Sequence, residues 1–222
     1  MKSSYICCVL LFVLFLVSCT DGRSEGQVAR LLRQAEMCME ECSDSALVYL
    51  HQIPDPEKLT GENQADYCLL LTQAMDKNDL PLSSDSLIQI AVGYYSNKGD
   101  AECKAKALFY KGRVFQQQGN LEGATLLYKK AESMIPDLTD YYLVGLIYSY
   151  LGHLNRDEEH YKKALFYYEK TFSFSKTAPR DASRPEIYLN YFMLLSFFIF
   201  PSSVCLLSGN YHLTDWISYG NG

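Results

Sequence analysis

The chain has 222 residues, 48% of them hydrophobic, and a formal net charge of −6. Removing a short leader would leave about 200 residues, enough for one sizeable core or one array of small units, and an acidic chain gains little from the phosphate neutralisation on which DNA or RNA binding depends. With 18 Tyr and 11 Phe beside 7 Pro and 13 Gly, the composition is too aromatic for disorder and too poor in turn residues for a many-stranded sandwich or barrel, which leaves a helical protein.

At the N-terminus, Lys2 and the amino group supply positive charge, and Ile6 to Val17 is an apolar run of twelve residues without an acid. That is the pattern of a secretory leader, and at about 1.5 Å per residue the run is too short to span a hydrocarbon core of about 30 Å. Leu16-Val17-Ser18-Cys19 resembles a bacterial lipobox, in which small residues admit a peptidase before a lipid-modified cysteine. The resemblance implies a signal peptide over residues 1–18, lipidation (palmitate among the acyl groups) at Cys19, and a short tether over 19–26. More than one acyl chain would hold the protein firmly to a bilayer. Five cysteines then remain, Cys38, Cys42, Cys68, Cys103 and Cys205. An odd set without paired spacing is a poor disulfide framework, and Cys38 and Cys42, one helical turn apart, read as small core residues.

Residues 27–180 carry an internal period. In Ala105 to Leu138, taken as one repeat unit, Gly112 stands at position 8, Phe115 at 11, Gly119 at 15, Ala124 at 20, Tyr128 at 24, Ala131 at 27 and Pro136 at 32. This resembles the tetratricopeptide repeat. Small residues let two antiparallel helices approach, aromatic rings fill the flanking gaps, Gly119-Asn120 turns the chain and Pro136 stops it. Counterparts of Ala124 at Ala46, Ser84 and Ala164 recur at a nearly constant step. The larger residues Leu50, Ile88, Tyr128 and Tyr168, then Ile53, Ala91, Ala131 and Thr171, keep the same beat. The period predicts about four hairpins. Their first helices lie at about Gln27–Glu41, Glu62–Lys77, Ala101–Gln118 and Leu138–Arg156, and their second helices at about Asp44–Gln52, Ser83–Tyr95, Leu121–Met134 and Glu158–Phe174. Ser43-Asp44-Ser45 and Ser83-Ser84-Asp85 are the expected N-caps of two second helices. In the fourth unit Gly145, Tyr148 and Gly152 take positions 8, 11 and 15, which leaves Ala164 seven residues late and predicts a longer connection or a longer first helix there. The expected fold is an all-α solenoid of antiparallel pairs, and the resemblance implies a right-handed superhelix. Leader, tether and repeats together resemble the repeat-bearing envelope lipoproteins of Bacteroidota.

Residues 181–222 differ in character. Ile187 to Thr214 has no charged side chain. A membrane helix over about 187–207, a truncated repeat echoed in Ser208-Gly209-Asn210-Tyr211, and a buried end all remain open readings.

No phosphate-cradling glycine loop, Cys-x-x-Cys pair, His-Glu-x-x-His or nucleophile elbow occurs, so no enzyme activity and no cofactor is expected. His153, Asp157 and His160 would share a helix face at i, i+4 and i+7 if one helix ran that far, but polar groups in a connection are usually solvated, and no metal site is expected. The repeat resemblance instead implies a groove lined by first helices at positions 2, 5, 9, 12 and 13. In the anchor unit these are Lys106, Phe109, Arg113, Gln116 and Gln117, and in the next Thr139, Tyr142, Leu146, Ser149 and Tyr150. Such a mixture suits a protein or peptide ligand. Cys19 to Asp100 has a net charge of −8 and Ala101 to Arg180 of +3, opposite fields that can steer a partner. The expectation is a lipid-anchored scaffold on the outer membrane or periplasmic face of the envelope. The alternative is the truncated sensory half of a membrane-linked signalling or transcription-regulating protein of the same repeat type.

Overall fold

The computed structural model describes residues 25–177. The leader, Cys19, Cys205 and the apolar segment 187–207 lie outside the described residues. Among the described residues there are eight α-helices and no strand: α1 (25–38), α2 (Ser43–His51), α3 (Gly61–Lys77), α4 (Ser86–Lys98), α5 (Ala101–Gln117), α6 (Leu121–Glu132), α7 (Tyr141–Asp157) and α8 (Tyr161–Thr177). Short 3-10 turns occupy Pro56–Lys58 and Ile135–Asp137. None of these helices is long and apolar enough to cross a membrane. Two compact units divide at Asp137, with α1 to α6 in the first and α7 and α8 in the second.

Three helices, α5, α6 and α7, start on a side-chain cap. Asp100 Oδ1 accepts the Cys103 N–H at 2.8 Å, Asn120 Oδ1 the Gly123 N–H at 2.9 Å, and Asp140 Oδ1 the Leu143 N–H at 3.0 Å. Each satisfies one of the donors that a helix start leaves unpaired. The serine caps expected for α2 and α4 do not form. Cys42 precedes α2 and Asp85 precedes α4, neither with a side-chain cap bond, although Ser84 Oγ does accept the Ser86 N–H at 3.2 Å.

The helix ends repeat one construction three times. After α3, α5 and α7 the residues Asp79, Gly119 and Glu159 take left-handed φ of 52°, 79° and 60°. At each, the following N–H reaches back to a carbonyl five positions earlier: Leu80 to Met75, Asn120 to Phe115 and His160 to Asn155. This is the Schellman closure of a helix. The three turns recur at one constant interval along the chain, and the starts of α3, α5 and α7 at Gly61, Ala101 and Tyr141 share that interval.

Packing follows the small residues. In the first unit α1, α2 and α3 share a core of Leu31, Leu32, Ala35, Ala46, Leu50, Leu70 and Ala74. Neighbouring helices continue the contact from α3 to α4, α4 to α5 and α5 to α6, and α3 also touches α5. Ala124 and Ala131 are fully buried on α6, and the Tyr128 ring between them lies on Gly112 of α5, where any Cβ would overlap it. In the second unit Tyr168 of α8 lies on Gly152 of α7 in the same way, a methyl on Gly152 falling 2.7 Å from Tyr168 Cζ.

That contact corrects the register expected for the fourth hairpin. Gly152, not Gly145, is the counterpart of Gly112, so Gly152, Glu159, Ala164 and Tyr168 each stand at the same distance along the chain after Gly112, Gly119, Ala124 and Tyr128. Neither the connection nor the first helix is longer: only Glu158, Glu159 and His160 join α7 to α8, and α7 has 17 residues, as α5 has. A second correction concerns Ser84, which precedes α4 and is exposed, while Leu82, Ile88 and Ala91 carry the burial there.

Candidate functional site

On α5 the residues expected to face a groove are largely engaged within the fold. Phe109 is 1% exposed, with its ring 5.1 Å from Tyr110 and 5.4 Å from Tyr128. It belongs to the core and offers no open face to a partner. Lys106 is half-buried on the same helix.

Arg113 crosses to α3, where its Nε and one terminal nitrogen each donate to the Asp76 carboxylate at 2.8 Å, a bidentate fork. Gln117 Nε2 adds a third bond to Asp76 at 3.1 Å, and Gln117 Oε1 accepts the Leu82 N–H. Gln116 Oε1 accepts both the Tyr128 hydroxyl at 2.9 Å and Arg113 at 3.2 Å.

The same arrangement occurs one hairpin earlier. Glu40, just after α1, receives Gln73 Nε2 at 2.9 Å and Lys77 Nζ at 2.7 Å. Gln73 and Lys77 stand one repeat interval before Arg113 and Gln117. A carboxylate at the end of one first helix is therefore gripped by residues four apart on the next, twice in succession. These rungs are partly shielded from water, since the Arg113 and Asp76 side chains are 16% and 8% exposed, so removing one partner leaves a poorly solvated charge and costs more than it does in a surface pair. Sequence reasoning missed Glu40, Gln73, Asp76 and Lys77. The signal that could have found them is a cation following an acid at the same separation twice, in Glu40 with Lys77 and in Asp76 with Arg113.

On α7, Tyr142, Leu146 and Tyr150 are half-buried, Ser149 is buried and Thr139, before the helix, is exposed. The Tyr150 ring sits 5.5 Å from His153, which in turn sits 5.6 Å from Tyr168. The corrected register places Leu146, Ser149, His153, Arg156 and Asp157 at the positions that Lys106, Phe109, Arg113, Gln116 and Gln117 hold on α5. Arg156 donates to Asp157 at 2.8 Å at the surface. The Tyr168 hydroxyl is buried and has no hydrogen-bond partner, in contrast to that of Tyr128. The reason is the replacement of an acceptor, Gln116, by a donor, Arg156.

The chain matches no protein-family model, no curated protein and no solved structure.

His153, Asp157 and His160 do not share a helix, because α7 ends at Asp157 and His160 lies beyond the left-handed Glu159. His160 Nδ1 instead lies 3.3 Å from Glu158. Asp157 therefore closes one helix rather than opening the next. Among the described residues no three His, Cys, Asp or Glu side chains stand together as metal ligands.

Cys38, Cys42, Cys68 and Cys103 are free thiols. Burial pushes Cys68 up to about 11 and Cys103 up to about 12, the Asp100 carboxylate adding to the effect at Cys103. Thiols so far above neutrality are poor nucleophiles. Near them, the Tyr95 hydroxyl on α4 donates to Asp66 on α3. Burial raises the Asp66 carboxyl above the ordinary range, and the Tyr95 bond opposes that rise. Beside Tyr95 a small cleft of about 210 Å³ opens between Val92, Ser96, Lys104, Leu108 and Met134. Its lining has one cation, Lys104, and otherwise apolar or hydroxyl groups.

Proposed function

We propose that the protein is a lipid-anchored scaffold of the cell envelope, built of tetratricopeptide-like hairpins, that binds a protein or peptide partner through its first helices. The observation that carries the reading is the identical hairpin closure at Asp79, Gly119 and Glu159, evenly spaced along the chain, with a tyrosine laid on a glycine in two of the hairpins. Regular hairpins that bury one side on their neighbours form arrays whose first helices line an extended surface. Helix α5 has Lys106 and Gln117 at the positions that line such a surface, and by the corrected register α7, in the other unit, has Leu146, His153, Arg156 and Asp157, none of which is fully buried. Such a scaffold acts by tethering and recognition.

The test is a pull-down from envelope extract that compares the wild type with Lys106→Glu on α5 and, separately, with Leu146→Ala/Arg156→Ala on α7, each with helicity unchanged by circular dichroism. A partner recovered by the wild type and lost by either variant supports groove recognition; equal recovery of every protein overturns it. Labelled palmitate should enter the wild type and not Cys19→Ala. Ile187 to Thr214, without a charge, supports a second reading, a sensory module joined to a membrane segment. Under it the Cys19→Ala variant would stay in the membrane fraction through residues 187–207.

A further inference from the structure

Helix α8 buries Ala164, Tyr167, Tyr168 and Thr171. Its opposite side exposes Lys162, Lys163, Phe166, Glu169, Lys170 and Ser173. At about 100° per residue these six positions fall within an arc of about 120°, with Phe166 near its middle. Phe166 is 50% exposed, and the Lys170 ammonium stands over its ring, 5.5 Å from the centroid. Tyr161 at the start of the helix is 47% exposed. The face therefore combines three cations, one acid and a bare aromatic ring on a straight stripe.

The outer faces of the other second helices allow a comparison. Leu126 on α6 is 56% exposed and has Lys130 four positions on, as Phe166 has Lys170. Val48 on α2 and Ile90 on α4 are also exposed, but Gln52 and Tyr94 follow them. The half-buried Tyr94 on α4 also has a lysine ammonium, that of Lys98, 5.5 Å over its ring, so among these second helices α8 is set apart by the greater exposure of its aromatic ring and by its excess of cations.

We propose that this α8 face is a membrane-contact surface for anionic lipid headgroups, with Phe166 entering the interface and Lys162, Lys163 and Lys170 pairing with phosphates. Three arguments favour a bilayer over an acidic protein. A helix lying flat on a membrane needs an apolar centre flanked by lysines on one exposed stripe, which is the arrangement present. Aromatic rings and lysines both favour the headgroup region. Ten residues after Thr177 begins the uncharged run from Ile187, and the proposed anchor at Cys19 would already hold the chain at a bilayer, so that a weak contact acts at high local concentration. Each lysine near an anionic surface adds attraction, and salt screens it.

The contact rests in part on the proposed envelope location, so the test uses purified full-length Cys19→Ala protein, in which no acyl chain takes part. Flotation with vesicles of phosphatidylcholine alone is compared with vesicles of phosphatidylcholine and phosphatidylglycerol mixed two to one, each at low salt and at about 0.5 M salt, where screening is nearly complete beyond contact distance. The expected result is binding at least roughly tenfold greater with phosphatidylglycerol, suppressed by salt, and lowered about tenfold both by Lys162→Glu/Lys163→Glu/Lys170→Glu and by Phe166→Ala. These four side chains are exposed, and circular dichroism checks that the variants fold. Binding that ignores lipid charge, or that the triple variant retains, overturns the proposal and assigns membrane attachment to another segment. Salt-sensitive self-association without vesicle binding also overturns it, in favour of contact between copies of this chain. Absence of palmitate labelling in cells would remove the Cys19 anchor while leaving this measurement unaffected.

Discussion

Arg113 on α5 holds Asp76 on α3 by two parallel bonds of 2.8 Å, and the carboxylate is 8% exposed. Removing the guanidinium leaves a buried anion with only Gln117 as a donor. We expect Arg113→Ala to lower unfolding free energy in urea by about 3 kcal/mol, and Arg113→Met with Asp76→Leu to lower it by less than half as much. A double variant as unstable as Arg113→Ala alone would show that packing, not charge, joins the two helices.

Gly112 and Gly93 are both helical glycines with opposite surroundings. A methyl at Gly112 collides with the Tyr128 ring, whereas one at Gly93 meets nothing within 4 Å. Gly112→Ala should therefore destabilise by about 1–3 kcal/mol through overpacking, and Gly93→Ala should stabilise by about 0.5–1 kcal/mol through helix propensity. Thermal melts of the two single variants, moving in opposite directions, check this.

Glu159 occupies the left-handed position that glycine fills at residue 119. A side chain there costs about 1 kcal/mol in backbone conformation. Glu159→Gly should raise the melting temperature of the chain and Gly119→Ala should lower it.

The Tyr168 hydroxyl is unpaired where Tyr128 finds Gln116. Restoring the acceptor by Arg156→Gln is expected to stabilise the second unit by about 1 kcal/mol, and Tyr168→Phe to be neutral or stabilising, whereas Tyr128→Phe should destabilise by about 1 kcal/mol. Urea unfolding of the three variants distinguishes these signs.

Asp66 gives a pH dependence. Its folded carboxyl titrates above its unfolded value because burial disfavours the anion. Its contribution to stability is therefore complete below the ordinary carboxylate pKa of about 3.9 and is lost as pH rises through the folded value. The Tyr95 hydroxyl limits that loss by donating to the anion. Tyr95→Phe should cost about 2 kcal/mol at pH 7, where the bond is charge-assisted, and about half that at pH 3. Equal penalties at both pH values would mean that Asp66 is not the partner that matters.

How much of this was legible in the sequence varies with the range of the interaction. Ala46, Ala124 and Ala164 mark helix crossings because a buried position that excludes all but small side chains leaves a local trace. Their common spacing located the hairpins. The fourth register was misread because α7 holds two glycines seven positions apart, two helical turns, so both Gly145 and Gly152 fit the motif. Only the Tyr168 ring decides between them. The left-handed turn at Glu159 gave no cue either, since glutamate rarely adopts that backbone. The site fared worse. Groove positions carried over from a repeat resemblance say where a residue sits on its helix, not what the neighbouring helix offers it, and at Arg113 and Gln117 the neighbour offers Asp76. Phe109 was misplaced because an aromatic residue suits both a binding face and a core.

The two tyrosines laid on glycines also couple positions through descent. Shrinking Tyr128 alone opens a void at a loss of about 3–5 kcal/mol, and a methyl at Gly112 alone is driven into the ring at about 1–3 kcal/mol, whereas the two changes together let the added methyl occupy part of the space the ring vacates. Lineages derived from this protein should therefore change residues 112 and 128, and likewise 152 and 168, as pairs more often than either member of a pair alone.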